Sequence, residues 1–230
     1  MIEIFDTPIF GIVISIVAFE IGIIINRKTK LSILNPLIIA VGLIIAFLSI
    51  SHIDYEVYNK GGSMISFLLG PATVVLAVPL YKQIEKLKKE KTPILIGITV
   101  GSLTGLLSVY FLSKLFGLDE ILTLSLMPKS VTAAISMEVS KQINGIPALT
   151  VAATVVTGIT GNVLWPYISK IFHIKDDVAT GISLGTGAHA VGTAKAMELG
   201  EVEGGMSSLA IGVAGLITVL LAPLLVRMLF

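Results

Sequence analysis

The chain has no cysteine among its 230 residues. That excludes a disulfide framework, a thiolate metal site and a cysteine nucleophile. Charge is also scarce. Asp, Glu, Lys and Arg make up 13% of residues, about half the share of a soluble domain, and too few to coat a water-facing surface. The net charge of +1 provides no polybasic patch for nucleic acid. No Gly-rich phosphate loop runs into Lys-Ser/Thr, no His-x-x-x-His pair occurs, and no Ser-His-Asp order stands out. No enzyme chemistry, metal or cofactor is therefore expected, and an ATP-driven mechanism would need another subunit. The opening residues Met1-Ile2-Glu3-Ile4-Phe5-Asp6 are acidic where a cleavable signal is basic, and no small-residue cleavage site follows, so the first helix is read as retained.

What the chain has instead is apolar length. Hydrophobic residues make up 54% of it, and residues 31–51, 61–81, 92–113, 142–169 and 204–226 contain no Asp, Glu, Lys or Arg. Each run reaches the ~20 residues that a helix needs to cross a hydrocarbon layer. The spacing predicts spans near 7–26, 31–52, 62–81, 93–117, 146–169 and 205–229. Two odd segments, 119–144 and 176–200, are apolar but broken by Pro, Gly and charges. The expected fold is an all-α polytopic membrane protein. It would form a single membrane domain over residues 1–230, with scaffold helices in 1–60 and repeated units in 61–230. Two basic clusters, Arg27, Lys28 and Lys30, and then Lys82, Lys86, Lys88, Lys89 and Lys91, mark cytoplasmic loops. The N-terminus then lies outside the cytoplasmic membrane. The odd segments either both cross, giving eight crossings, or both re-enter, giving six.

An internal repeat bears on that choice. Leu69-Gly70-Pro71-Ala72-Thr73-Val74 resembles Leu126-Met127-Pro128-Lys129-Ser130-Val131, 57 residues on, and a weaker copy starts at Leu184-Gly185-Thr186. Ser102-Leu103-Thr104-Gly105 and Leu112-Ser113-Lys114-Leu115-Phe116 pair with Gly158-Ile159-Thr160-Gly161 and Ile168-Ser169-Lys170-Ile171-Phe172. The unit is one broken helix plus one whole helix. If 62–81 spans, its copies are expected to span as well, which favours eight crossings.

Broken helices at membrane depth persist only inside protein or beside a watery cavity, and their recurrence points to a transporter's binding site. The first break, with Pro71 and Thr73, reads as readily as a packing kink. The second, Pro128-Lys129-Ser130-Val131-Thr132, would aim free amides, an ammonium and two hydroxyls at a carboxylate, unless Lys129 snorkels to the interface. The third holds Gly185, Thr186, Gly187, His189 and Thr193. His189 would bind an anion, carry a proton or serve only helix packing. Glu20, Glu138 and Asn162 are further polar residues within apolar surroundings, for coupling or for structure. Glu138 pairs readily with Lys141 one turn on. Gly97, Gly101, Gly105, Gly158 and Gly161 are read as helix-packing positions, and His52 and His173 as interfacial.

Four stretches carry a family resemblance over nearly the whole chain. They are Leu69 to Tyr81, Met127-Pro128-Lys129-Ser130-Val131-Thr132, Ser183 to Ala194, and Glu203-Gly204-Gly205-Met206-Ser207-Ser208-Leu209-Ala210. In them the chain resembles the LrgB/CidB family. The resemblance implies one of two functions. One is holin/antiholin-like control of murein hydrolase activity and lysis, beside a small LrgA/CidA-type membrane partner. The other is transport of small monocarboxylates such as pyruvate, glycolate or glycerate. A lesion-forming holin does not need repeated breaks bearing Lys, Ser, Thr and His, whereas a carboxylate carrier does. The expectation is a carrier working by alternating access, with a small organic anion as substrate, the lipid bilayer as surroundings and a homodimer as assembly. Half-helix ends near Pro71, Pro128 and Gly185 would meet at its pocket.

Overall fold

The computed structural model describes residues 6–29, 34, 36–68, 71, 74, 81–82 and 84–230. Every regular element among them is helical, and four helices are long and apolar enough to cross a membrane. The chain is a multi-pass helical membrane protein. It divides into two compact units, residues 1–75 and 76–230.

In the first unit, helices α1 (Pro8–Thr29), α2 (Pro36–Ile50) and α3 (Tyr55–Phe67) pack through small residues. A methyl group on Gly11 of α1 would overlap the Tyr58 carbonyl oxygen, and one on Gly61 of α3 would overlap that of Pro8. Ser15 and Tyr58 hydroxyls lie 3.0 Å apart across the same seam. Glu20 is an exposed residue of α1. Half of the segment expected to span over 62–81, including Thr73, lies outside the described residues, and Pro71 is exposed.

The second unit contains α4 (Ile84–Lys89), α5 (Lys91–Leu115), α6 (Glu120–Leu126), a 3-10 turn over Met127–Ser130, α7 (Ala133–Gln142), α8 (Pro147–Ile171), α9 (Asp177–Leu199) and α10 (Glu201–Leu229). Its plan is a repeat, and the recurring Ser-Lys-x-Phe is a helix stop. After α5, Leu118 N donates to Ser113 O at 2.9 Å and Gly117 N to Lys114 O at 3.2 Å. After α8, Ile174 N donates to Ser169 O at 2.9 Å and His173 N to Lys170 O at 3.4 Å. Both are Schellman caps, with Gly117 at φ 67° and His173 at φ 52° in the left-handed position. Each is followed by an aspartate N-cap. Asp119 Oδ1 accepts from Leu122 N at 2.7 Å and Asp176 Oδ1 from Ala179 N at 2.8 Å.

Each aspartate leads into a hairpin. In the first, α6 and the 3-10 turn lead in and α7 leads out. Ser125 near the start and Ser140 near the end meet at one residue of α8, with Thr150 Oγ1 lying 2.7 Å from both Ser125 O and Ser140 Oγ. The second is α9 itself, which reverses at His189 (φ 41°, ψ −129°). A straight helix would place residues 184 and 192 about 12 Å apart, yet a methyl on Gly192 would overlap Leu184 O. Gly185 and Thr193, eight positions apart, both reach Ser207. The two odd segments therefore fold back instead of crossing. This corrects the expectation of eight crossings. Within the second unit, α5, α8 and α10 are the helices long and apolar enough to cross.

The hairpins insert from opposite ends. Along α5, Ile94 and Ile98 pack with Val178 at the start of the second hairpin, while Leu106 and Val109 pack with Met127 and Leu124 of the first. Along α8, Thr154 Oγ1 donates to Ser136 of the first hairpin at 3.0 Å, and Gly158 then seats the ring of His189. The tips meet between these levels. Because α5 and α8 run in opposite senses past them, the two repeats have inverted topology.

Candidate functional site

The glycines of α5 open a cavity at this meeting of tips. Gly97, Gly101 and Gly105 fall on one helix face, four residues apart, and present no side chains. The space beside them, about 590 Å³, is lined also by Lys129 and Ser130 from the first hairpin and by Ile182, Thr186 and Gly187 from the second. Glu90 and Asp176, which precede α5 and α9, mark its mouth. A methyl on Gly101 would come 2.9 Å from Thr186 Cγ2, and one on Gly105 would come 3.4 Å from Ser130 Oγ. Side chains at these positions would narrow the cavity at the tips.

Lys129 is the one basic residue among the lining residues. It is half-buried, its Nζ lies 3.4 Å from Ser130 Oγ, and no carboxylate pairs with it among the described residues. An ammonium held in a partly apolar cleft with no carboxylate in contact suits an anion. Beyond the cavity, Leu106, Val109, Leu124, Met127, Val139, Ile143 and Ala222 close the other end as a continuous apolar cluster.

Four of the predicted site residues thus come together: Lys129, Ser130, Thr186 and Gly187. The others have different surroundings. Buried Pro128 carries the irregular backbone of the 3-10 turn (φ −83°, ψ 18°). Thr132 caps α7. Gly185 packs against Ser207 O, which a methyl would overlap. His189 is buried at 4% exposure, is absent from the cavity lining, and has Nε2 2.9 Å from Thr154 O. Thr193 Oγ1 donates to His189 O at 3.0 Å and lies 2.7 Å from Ser207 Oγ. His189 and Thr193 therefore hold the reversal of α9. A left-handed non-glycine residue costs about 1–3 kcal/mol, and these bonds and the Gly158 seat offset that cost. Glu138 pairs with Lys141 at 2.7 Å on the surface, and Asn162 is half-buried on α8. Pro71 belongs to the other unit.

Sequence reading missed Ser102, which is 5% exposed and borders a small void with Thr186 and Ser130. It also assigned Gly97, Gly101 and Gly105 to helix packing alone. Their spacing of four was the available signal.

The profile of the LrgB-like family matches residues 15–228. The antiholin-like protein LrgB of Bacillus mycoides (strain KBAB4) is 42% identical over 219 residues, covering 95% of each chain. Proteins of the same name from Bacillus cereus (strain B4264) and Bacillus anthracis (strain CDC 684 / NRRL 3495) match at the same identity and coverage. No solved structure matches the chain.

Proposed function

The chain belongs to the LrgB-like family, and we propose that it is an antiholin-like protein of the cytoplasmic membrane whose molecular activity is the carriage of small monocarboxylates. The two parts have different support. The relatives' name, antiholin-like protein, favours control of murein hydrolase activity and lysis as the biological role, acting with a small LrgA/CidA-type partner. The geometry supports carriage as the means.

The observation that carries the transport reading is Lys129, which no carboxylate pairs with among the described residues, at the meeting of two opposed hairpins, in a cavity open at one end and closed by apolar side chains at the other. Inverted repeats with discontinuous helices at their interface are a recurrent carrier plan. A carboxylate of pyruvate, glycolate or glycerate type would sit against Lys129 and Ser130, and rocking of one repeat against the other would expose it to each side in turn. The cavity mouth at Glu90 lies next to the basic stretch from Lys82 to Lys91, which the positive-inside rule places in the cytoplasm. The described state is then open inward, with the N-terminus outside. Assembly as a homodimer completes the proposal.

Uptake of labelled pyruvate, lactate, glycolate and glycerate into proteoliposomes tests it. Saturable uptake supports a carrier. Unsaturable leak of unrelated solutes would reject it in favour of a pore. Expressing wild type and Lys129→Ala in a strain lacking the gene links the two parts. Loss of lysis control in the variant ties regulation to carriage, and full retention separates them.

A further inference from the structure

Two buried hydroxyls have no hydrogen-bond partner among the described residues: Ser102 Oγ on α5 and Thr186 Oγ1 in the second hairpin. The residues are 5% and 8% exposed. Orphaned buried polar groups are rare and call for an unseen partner. Both residues border a void of about 10 Å³, closed by Leu106, Met127, Ser130 and Thr218, which is about the volume that admits one water-sized oxygen. The void lies alongside the cavity, since Ser130 and Thr186 line both. No carboxylate borders it, and the Lys129 ammonium stands beside Ser130. The site therefore does not suit a metal cation. It suits a neutral oxygen, accepting or donating one hydrogen bond at each hydroxyl.

Resting on the carrier reading, we infer that Ser102 and Thr186 are specificity-determining residues that bind a second oxygen of the transported acid. With the carboxylate at Lys129 and Ser130, the substituent on the adjacent carbon faces Thr186. A hydroxyl or keto oxygen there fills the void and satisfies both orphans. An acid without that oxygen leaves them unpaired, and unpaired buried groups are what make a site reject an analogue. The γ-methyl of Thr186, packed against Gly101, fixes the direction of its hydroxyl.

Lactate and propionate differ only in that oxygen. In proteoliposomes loaded with lactate, uptake of labelled lactate is competed by each unlabelled acid. Wild type is expected to prefer lactate by at least about tenfold, the scale of one or two neutral hydrogen bonds. Ser102→Ala and Thr186→Val should each bring that ratio towards one, weakening competition by lactate relative to competition by propionate. A ratio of one in wild type, or an unchanged ratio in both variants, overturns the inference and leaves the carrier reading standing. If wild type carries no acid, the carrier reading itself fails. Protection of the purified protein against heat by lactate over propionate then still decides the subsite, and it serves equally for a variant that no longer transports.

Discussion

The two hairpins of the second unit make the same reversal by different means. The first is interrupted by Pro128 and a 3-10 turn, and restarts at the Thr132 cap. Proline removes a donor and favours a first-turn position, so a break there is built into covalent structure. It needs little help from neighbours, and the residue after the proline, Lys129, is left half-buried at the cavity. The second has no proline. It reverses at a left-handed histidine whose strain is offset by its surroundings: Thr154 O on its ring, Thr193 on its carbonyl, and Gly158, Gly185 and Gly192 allowing close approach. One hairpin presents charge, the other presents hydroxyls, and the backbone chemistry decides which residues are available for function. A polar residue that holds a turn is already satisfied, as His189 is by Thr154 O, whereas Lys129 and Thr186 retain unused donors.

The largest expected effect separates these means. Gly192→Val puts a branched Cβ into overlap with the Leu184 carbonyl oxygen and should destabilise the second hairpin by about 3 kcal/mol, at the upper end of overpacking costs. A lowered melting temperature in detergent checks it. Gly187→Ala is the control in the same hairpin, because nothing lies within 4 Å of a methyl there, and it should melt as wild type does. Equal loss in both would mean that the reversal at His189 does not depend on close approach.

Lys129→Met comes next and acts on function alone. It removes the cavity's cation but keeps its stem, so kcat/KM for carboxylate uptake should fall about ten- to a hundredfold, the worth of a hydrogen bond to a charged group. Melting should change little, since no carboxylate is left unpaired among the described residues. Lys129→Arg should recover part of the uptake. A large loss of stability with Lys129→Met would show that the first hairpin needs its lysine for folding, and the contrast between charge-bearing and turn-holding residues would fail.

Particular residues show how far this contrast is legible in the sequence. Pro128 announces its own break, because proline is restricted whatever surrounds it. The Ser-Lys-x-Phe repeat is visible as a pattern, and its Schellman geometry explains why it recurs. The His189 turn is not legible as a turn. Its conformation depends on Thr154 and Gly158, 35 and 31 positions earlier, and local propensity would continue the helix. Sequence therefore suggests chemistry for His189, whereas its bonds serve the backbone. The sense of the repeat is also hidden. A unit of one crossing helix and one crossing broken helix gives a parallel copy, while a crossing helix with a hairpin gives an inverted one. Identical motifs fit both, and only contacts such as Gly192 with Leu184 decide.

The smallest effect tests the symmetry that the contrast rests on. Asp119 and Asp176 cap the lead-in helices of the first and second hairpins through the same bond to the amide three residues on. Replacing a capping aspartate by alanine typically costs about 1 kcal/mol. If the repeats begin alike and differ only at their tips, Asp119→Ala and Asp176→Ala should lower stability by equal amounts within about 0.5 kcal/mol, and the double variant should show the sum, because the caps lie at opposite ends of the unit. Asp176 also lies at the cavity mouth, so only its variant should change uptake, raising the apparent affinity for an anion by removing a like charge from its path. Matched melting curves with divergent uptake would place the functional difference at the mouth and tips. Unequal melting would instead mean that the lead-in helices are not equivalent, and that the second hairpin, already strained at His189, leans more heavily on its cap.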